Sequence, residues 1–180
     1  MVDDDSSIWE RSIEATETAR DAETKTEFDS LLGIIIDGFV GAVGGLVGTS
    51  LLTLVLLSAA QFDAFELTSF AVLSRLTGLT LLFPENASVV GFVVFVLFGM
   101  VPWPLFLASL GWFLPGDRFA TKGLPFGFVL WTGFAIGFYD GYTGLALGIY
   151  LFFTLVGHLA YGFSLGAVFD YLSERPDTLV

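Results

Sequence analysis

Four long apolar stretches that contain no Asp, Glu, Lys or Arg dominate this chain of 180 residues. They cover residues 38–60, 87–114, 123–139 and 141–169. A helix of about 20 apolar residues crosses the roughly 30 Å hydrocarbon core of a bilayer, and each stretch is close to that length or longer. The pattern therefore predicts a multi-pass membrane protein of the all-α class, a polytopic transmembrane bundle of four helices.

The composition agrees with a membrane location. Hydrophobic residues make up 54% of the chain, which contains 20 Phe and 21 Gly. Phe suits a lipid-facing surface, and Gly is more frequent in membrane helices than in soluble ones. The chain has no Cys, which excludes disulfides, thiolate metal sites and cysteine nucleophiles.

The net charge of −12 is concentrated at the N-terminus, where residues 1–30 carry ten acidic and three basic side chains. We interpret this segment as an acidic cytoplasmic tail that is either flexible or helical over about 8–28. A protein of this charge repels nucleic acid, which is not an expected partner. Acids also stand where a secretory signal would carry basic residues, so we expect the first span to be an uncleaved anchor.

The apolar pattern also predicts the domain organisation. The acidic tail (1–30) precedes a transmembrane domain (31–171) and a short cytoplasmic C-terminal tail (172–180). The expected spans are about 36–60, 87–114, 123–140 and 143–170. An interfacial helix is expected at about 63–76, between spans 1 and 2, because Asp63, Glu66 and Arg75 interrupt an otherwise apolar segment.

Three prolines and a turn shape the expected spans. Pro102 and Pro104 predict a kink or break inside span 2, because proline removes a backbone donor and collides with the preceding turn. Pro125 would stand near the start of span 3, where a helix tolerates it. A tight turn at 140–143 predicts that spans 3 and 4 form an antiparallel hairpin.

Basic residues near the span ends predict the orientation. Four spans place both termini and the loop between spans 2 and 3 on one side, which holds six of the seven basic residues. Arg75 alone lies on the opposite side. Because cytoplasmic loops carry the excess of Lys and Arg, we expect a cell-membrane protein with both termini in the cytoplasm.

Glycines recur at helical spacing on spans 1, 3 and 4. Such spacing lets helix backbones approach closely, so that dispersion stabilises the contact. We interpret these glycines as helix-packing positions within the bundle, and docking of a partner subunit or a second copy is the alternative. They are Gly41, Gly45, Gly48, Gly133, Gly137, Gly144, Gly148, Gly162 and Gly166.

His158 is the only histidine, and it falls near the middle of span 4. It shares a helix face with Thr154 and several glycines, so we expect it to point into the bundle. Ionisable groups at that depth are candidates for function. The alternatives are a hydrogen bond to a neighbouring helix, ligation of haem or a metal, and a proton relay with Tyr161. One His without Cys forms neither a two-sided haem site nor a zinc site, so we expect no cofactor and no metal.

Two further carboxylates complete the candidate polar residues. Asp37 lies at the cytoplasmic end of span 1, and Asp140 lies at the outer end of span 3 beside two tyrosines. Both positions suit helix caps or boundary markers, because a carboxylate pathway would need acids at depth. No catalytic residue is predicted, since neither paired carboxylates nor a nucleophile with its base can be identified.

Three segments resemble landmarks of small haloarchaeal membrane proteins of uncharacterised function. They are the glycine-rich segment 38–52, Lys-Gly-Leu-Pro-Phe-Gly-Phe-Val-Leu-Trp at 122–131 and Gly-His-Leu-Ala-Tyr-Gly at 157–162. Some members of that family carry labels linking them to cytochrome oxidase subunits. The resemblance implies a four-span helical protein of unassigned role and implies no catalytic residue.

These observations favour a protein that is not an enzyme. We predict an accessory, assembly or structural component of a membrane complex, with a respiratory complex as one candidate. Its partners would be the lipid bilayer and either partner membrane subunits or a second copy of the chain, bound through the glycine faces. The alternatives are a small transport or channel module with His158 in the bundle interior, and a haem-binding membrane protein.

Overall fold

The computed structural model describes residues 38–173, and within them the chain is helical and contains no strand. The predictions for the acidic tail, for Asp37 and for residues 174–180 lie outside the described residues. The α-helices are α1 (Gly38–Ala60), α2 (Ala71–Leu76), α3 (Ala87–Met100), α4 (Pro102–Leu110), α5 (Phe119–Gly137) and α6 (Gly144–Ser173). Short 3₁₀ helices occupy Leu67–Phe70, Leu79–Leu81, Pro84–Asn86 and Gly111–Phe113.

Four segments of the described chain are helical, long and apolar enough to cross a membrane. They are Gly38–Ala60, Pro84–Phe113, Phe119–Gly137 and Gly144–Tyr171. The second combines α3 and α4 with the 3₁₀ turns that flank them. The predicted fold class, an all-α protein with four membrane spans, is therefore confirmed.

The short helix expected between spans 1 and 2 is present, but it begins at Leu67 and not near residue 63. The difference has a local cause, because Asp63 adopts a φ of 53° in the turn that ends α1. That left-handed conformation does not continue a helix. Phe70, almost fully buried, lies at the junction with α2 and packs edge-on against Phe92 of α3 at a centroid distance of 5.2 Å.

Span 2 is broken at the prolines, as the sequence predicts. Helix α3 ends at Met100, Val101 has φ −122° and ψ −70°, and α4 begins at Pro102. Pro104 of α4 packs against α1, and its Cβ lies 3.2 Å from the position that a β-carbon on Gly41 would take. Pro104 therefore takes part in a contact between helices as well as in the break.

Span 3 begins at Phe119, so the expectation that Pro125 stands at its start is wrong. Pro125 lies inside the helix. The earlier start is stabilised by a distant residue, because the backbone N–H groups of Phe119 and Ala120 donate to Oδ1 and Oδ2 of Asp170, each at 2.9 Å. A carboxylate near the end of α6 thus caps the beginning of α5.

Candidate functional site

A cavity of about 480 Å³ lies inside the bundle, and each of the helices α1 to α6 contributes to its wall. Its volume falls within the roughly 300–1,000 Å³ of typical small-molecule sites. The wall is mostly apolar and includes the rings of Phe95, Trp103 and Phe134. Leu76 and Val129 also line it and are 77% and 62% exposed, so the cavity reaches the surface of the bundle.

Two glycines of α5 leave part of this space open, because they carry no side chain. A β-carbon added to Gly133 or Gly137 would meet no atom within 4 Å, and both glycines line the cavity. The sequence interpretation placed these two residues at helix contacts. The structure places them instead at a gap between helices.

His158 lies on the cavity wall and is only 4% exposed. Its Nδ1 lies 2.8 Å from the carbonyl oxygen of Thr154, and its ring is 4.7 Å from that of Phe134. Because a carbonyl only accepts, Nδ1 carries the hydrogen in the neutral imidazole and Nε2 keeps a free lone pair. His158 points inward as expected, but its hydrogen bond is to its own helix and not to a neighbouring one.

The hydroxyl of Tyr161, also nearly buried, connects α6 to α3. It donates to the carbonyl oxygen of Gly99 at 2.8 Å, close to the break in span 2. Among the described hydrogen bonds none joins Tyr161 to His158, although a proton relay between them would require one. The geometry therefore gives Tyr161 a role in joining helices.

Thr154 connects the two helices of the α5–α6 hairpin. Its hydroxyl donates to the carbonyl oxygen of Tyr150 at 2.6 Å and accepts from Trp131 Nε1 at 3.0 Å. The Tyr150 hydroxyl in turn donates to the carbonyl oxygen of Ala135 at 3.0 Å. The polar side chains of this region are therefore used in bonds within or between α5 and α6.

Thr49 is a polar residue of the cavity that sequence reasoning missed. It is 2% exposed, and its Oγ1 has no hydrogen-bond partner among the described residues. It lines the same cavity as His158. The available signal was its position directly after Gly48, which places a hydroxyl on the glycine face of α1.

A second, polar cavity of about 270 Å³ adjoins the first. Arg75 and Asp140 line it, and Val72, Gly137 and Phe138 belong to the walls of both cavities. The candidate Asp140 is exposed at this site and lies well away from His158 along the chain. In the turn that follows Asp140, burial raises the pKa of Tyr142 above its ordinary value.

Comparisons with known proteins place the chain in a family. A family model described as a family of unknown function, DUF6789, matches residues 35–180. The chain belongs to this family. No curated protein and no solved structure matches this DUF6789 member. This match confirms the predicted resemblance to a family of uncharacterised function.

Glycines bring the helices of this DUF6789 member into backbone contact on two sides. On α1, a β-carbon at Gly45 would overlap the carbonyl oxygen of Gly99, and one at Gly48 would lie 2.8 Å from the Tyr161 ring. On α6, β-carbons at Gly162 and Gly166 would overlap backbone carbonyls of α5. The structure therefore places these residues, together with Gly41, at tight helix–helix contacts.

The other glycines that the sequence predicts at helix contacts have open space around them. A β-carbon added to Gly133, Gly137, Gly144 or Gly148 would meet no atom within 4 Å, and Gly144 has a φ of 57° at the start of α6. Conversely, sequence reasoning missed Gly123 and Gly127, whose β-carbons would overlap the carbonyl oxygens of Gly162 and His158. Their four-residue spacing on α5 was the signal that could have found them.

Few described groups could hold a metal ion. Within residues 38–173, no three His, Cys, Asp or Glu side chains come together. His158 Nε2 is the one imidazole nitrogen of the chain that remains without a hydrogen bond in the described structure.

Proposed function

We propose that this protein is a non-catalytic accessory or assembly component of a larger membrane complex. One observation supports the proposal above others: hydrogen bonds from three side chains inside the spans hold neighbouring helices together. Trp131 binds Thr154, Tyr150 binds the backbone of α5, and Tyr161 binds that of α3. These side chains are therefore engaged in helix packing.

The surface of the α5–α6 hairpin supports docking of a partner subunit or a second copy. Ile136 near the end of α5 and Leu145 near the start of α6 are each 81% exposed, and Gly144 and Gly148 of α6 have open space around them. Small residues on a membrane-facing surface allow another helix to approach closely. We propose that the partner helix contacts this face.

The resemblance to small haloarchaeal membrane proteins with links to cytochrome oxidase makes a respiratory complex the first candidate assembly. We further propose that both termini are cytoplasmic, because six of the seven basic residues lie on their side.

Isolation from native membranes in a mild detergent tests the proposal. We expect the protein to co-migrate with other membrane subunits or a second copy, and Gly148→Leu to release it because the larger side chain obstructs the open face. Val89→Leu on α3, where Val89 is 64% exposed, is the matched control and should leave the assembly intact. A monodisperse monomer from native membranes would contradict the proposal.

A small transport or channel module is the second candidate, because the polar cavity at Arg75 and Asp140 shares walls with the cavity at His158. Flux into proteoliposomes that disappears in His158→Ala would favour this candidate over the accessory role. The free Nε2 of His158 also leaves haem ligation as an outcome, and a Soret band in the purified protein would identify it.

A further inference from the structure

We infer that the cavity beside His158 binds a neutral, hydrophobic alcohol or phenol, whose hydroxyl group donates a hydrogen bond to His158 Nε2. This inference does not depend on the accessory role proposed above. It is based on the lining of the cavity, on the ring nitrogen of His158 that remains without a partner, and on the way the cavity opens.

The lining selects an uncharged and apolar ligand. Aromatic rings form much of the wall, and no Asp, Glu, Lys or Arg is among the residues that line it. A charged group would lose its hydration there without gaining a partner of opposite charge. The same argument disfavours haem, because its carboxylates would find no Arg or Lys on the wall.

The free nitrogen of His158 selects a hydroxyl group. The other hydroxyls on the wall are already engaged, since Tyr161 donates to Gly99 O and Thr132 donates to Val129 O. The Thr49 hydroxyl is buried against Gly99 of α3 and does not face the cavity. His158 Nε2 can only accept a hydrogen bond. A ligand hydroxyl can donate to it, whereas an ether, a ketone or a hydrocarbon cannot.

The opening of the cavity fits entry from the lipid phase. Val129 on its wall is exposed and belongs to a membrane span, and His158 lies near the middle of α6. A neutral hydrophobic molecule dissolves in hydrocarbon and can therefore reach a site that opens there. The hydroxyl would then lie at the inner end, near the midplane of the bilayer.

Three probes of nearly equal shape test the inference on the full-length protein in lipid nanodiscs. They are 2-naphthol, 2-methoxynaphthalene and 2-methylnaphthalene, and binding is measured by isothermal titration against empty nanodiscs, which corrects for partition into lipid. We expect 2-naphthol to bind roughly tenfold more tightly than the other two, because only it can donate to His158. Equal affinities, or no binding of 2-naphthol, would overturn the inference.

A variant of His158 locates the site. We expect His158→Leu to abolish the preference for 2-naphthol. Thr53→Val is the control, because the Thr53 hydroxyl donates to Thr49 O at 2.8 Å and does not line the cavity. Circular dichroism establishes that each variant is folded. A preference that survives His158→Leu, or a Soret band in the purified protein, would also overturn the inference.

Discussion

Replacing Gly162 with Ala should lower the free energy of unfolding by about 1–3 kcal/mol, the usual range for overpacking a tight contact. The new β-carbon would overlap the carbonyl oxygen of Gly123 and lie 3.0 Å from the backbone nitrogen of Gly127. Both are backbone atoms, so relief requires α5 and α6 to move apart. Thermal unfolding in detergent, followed by circular dichroism, measures the loss.

Gly148→Ala is the matched control on the same helix. Its β-carbon would meet no atom within 4 Å, and Ala has the higher helix propensity. We expect a melting temperature that is unchanged or slightly raised. Equal destabilisation by the two substitutions would mean that α5 and α6 do not contact each other through Gly162.

Replacing Asp170 with Ala should be similarly damaging and should cost about 2–3 kcal/mol. It removes both acceptors from the first N–H groups of α5, and hydrogen bonds to a charged group contribute about 1.5–3 kcal/mol. The carboxylate also complements the positive end of the helix dipole. Hydrogen exchange of the Phe119 and Ala120 amides, together with thermal unfolding, measures the effect.

Two variants define what the Asp170 carboxylate contributes. Asp170→Asn keeps one acceptor oxygen and should be intermediate in stability. Asp140→Ala changes an exposed carboxylate in the turn after α5 and should leave both stability and amide exchange at Phe119 unchanged. If the Phe119 amide of the Asp170→Ala variant exchanges as slowly as that of the wild type, the cap does not form in the membrane.

The spans and the break at Pro102 could be predicted from sequence because they depend on local properties. Length and apolar character define a span, and proline disrupts a helix wherever it stands. The start of α5 could not be predicted in this way. Its cap, Asp170, lies 51 residues further along the chain, and only the fold brings them together.

The glycines show that helix packing, too, cannot be predicted from spacing along the sequence alone. Helical spacing identifies a face rich in glycine, but it does not say whether another helix covers that face. Gly162 contacts α5, whereas Gly148 on the same helix contacts nothing. The cavity could not be predicted either, because it results from gaps around Gly133 and Gly137 that only the arrangement of six helices defines.

The central claim is that the four spans pack through glycine contacts into this particular bundle, and disulfide cross-linking in membranes tests it most directly. The chain has no natural cysteine to interfere. A β-carbon at Gly44 would lie 3.2 Å from Val168 Cβ, near the roughly 3.5–4.5 Å that a disulfide requires. On mild oxidation, Gly44→Cys with Val168→Cys should give the linked peptide in mass spectra, whereas Gly44→Cys with Gly148→Cys should not. Absence of the first link, or equal formation of both, would contradict the bundle.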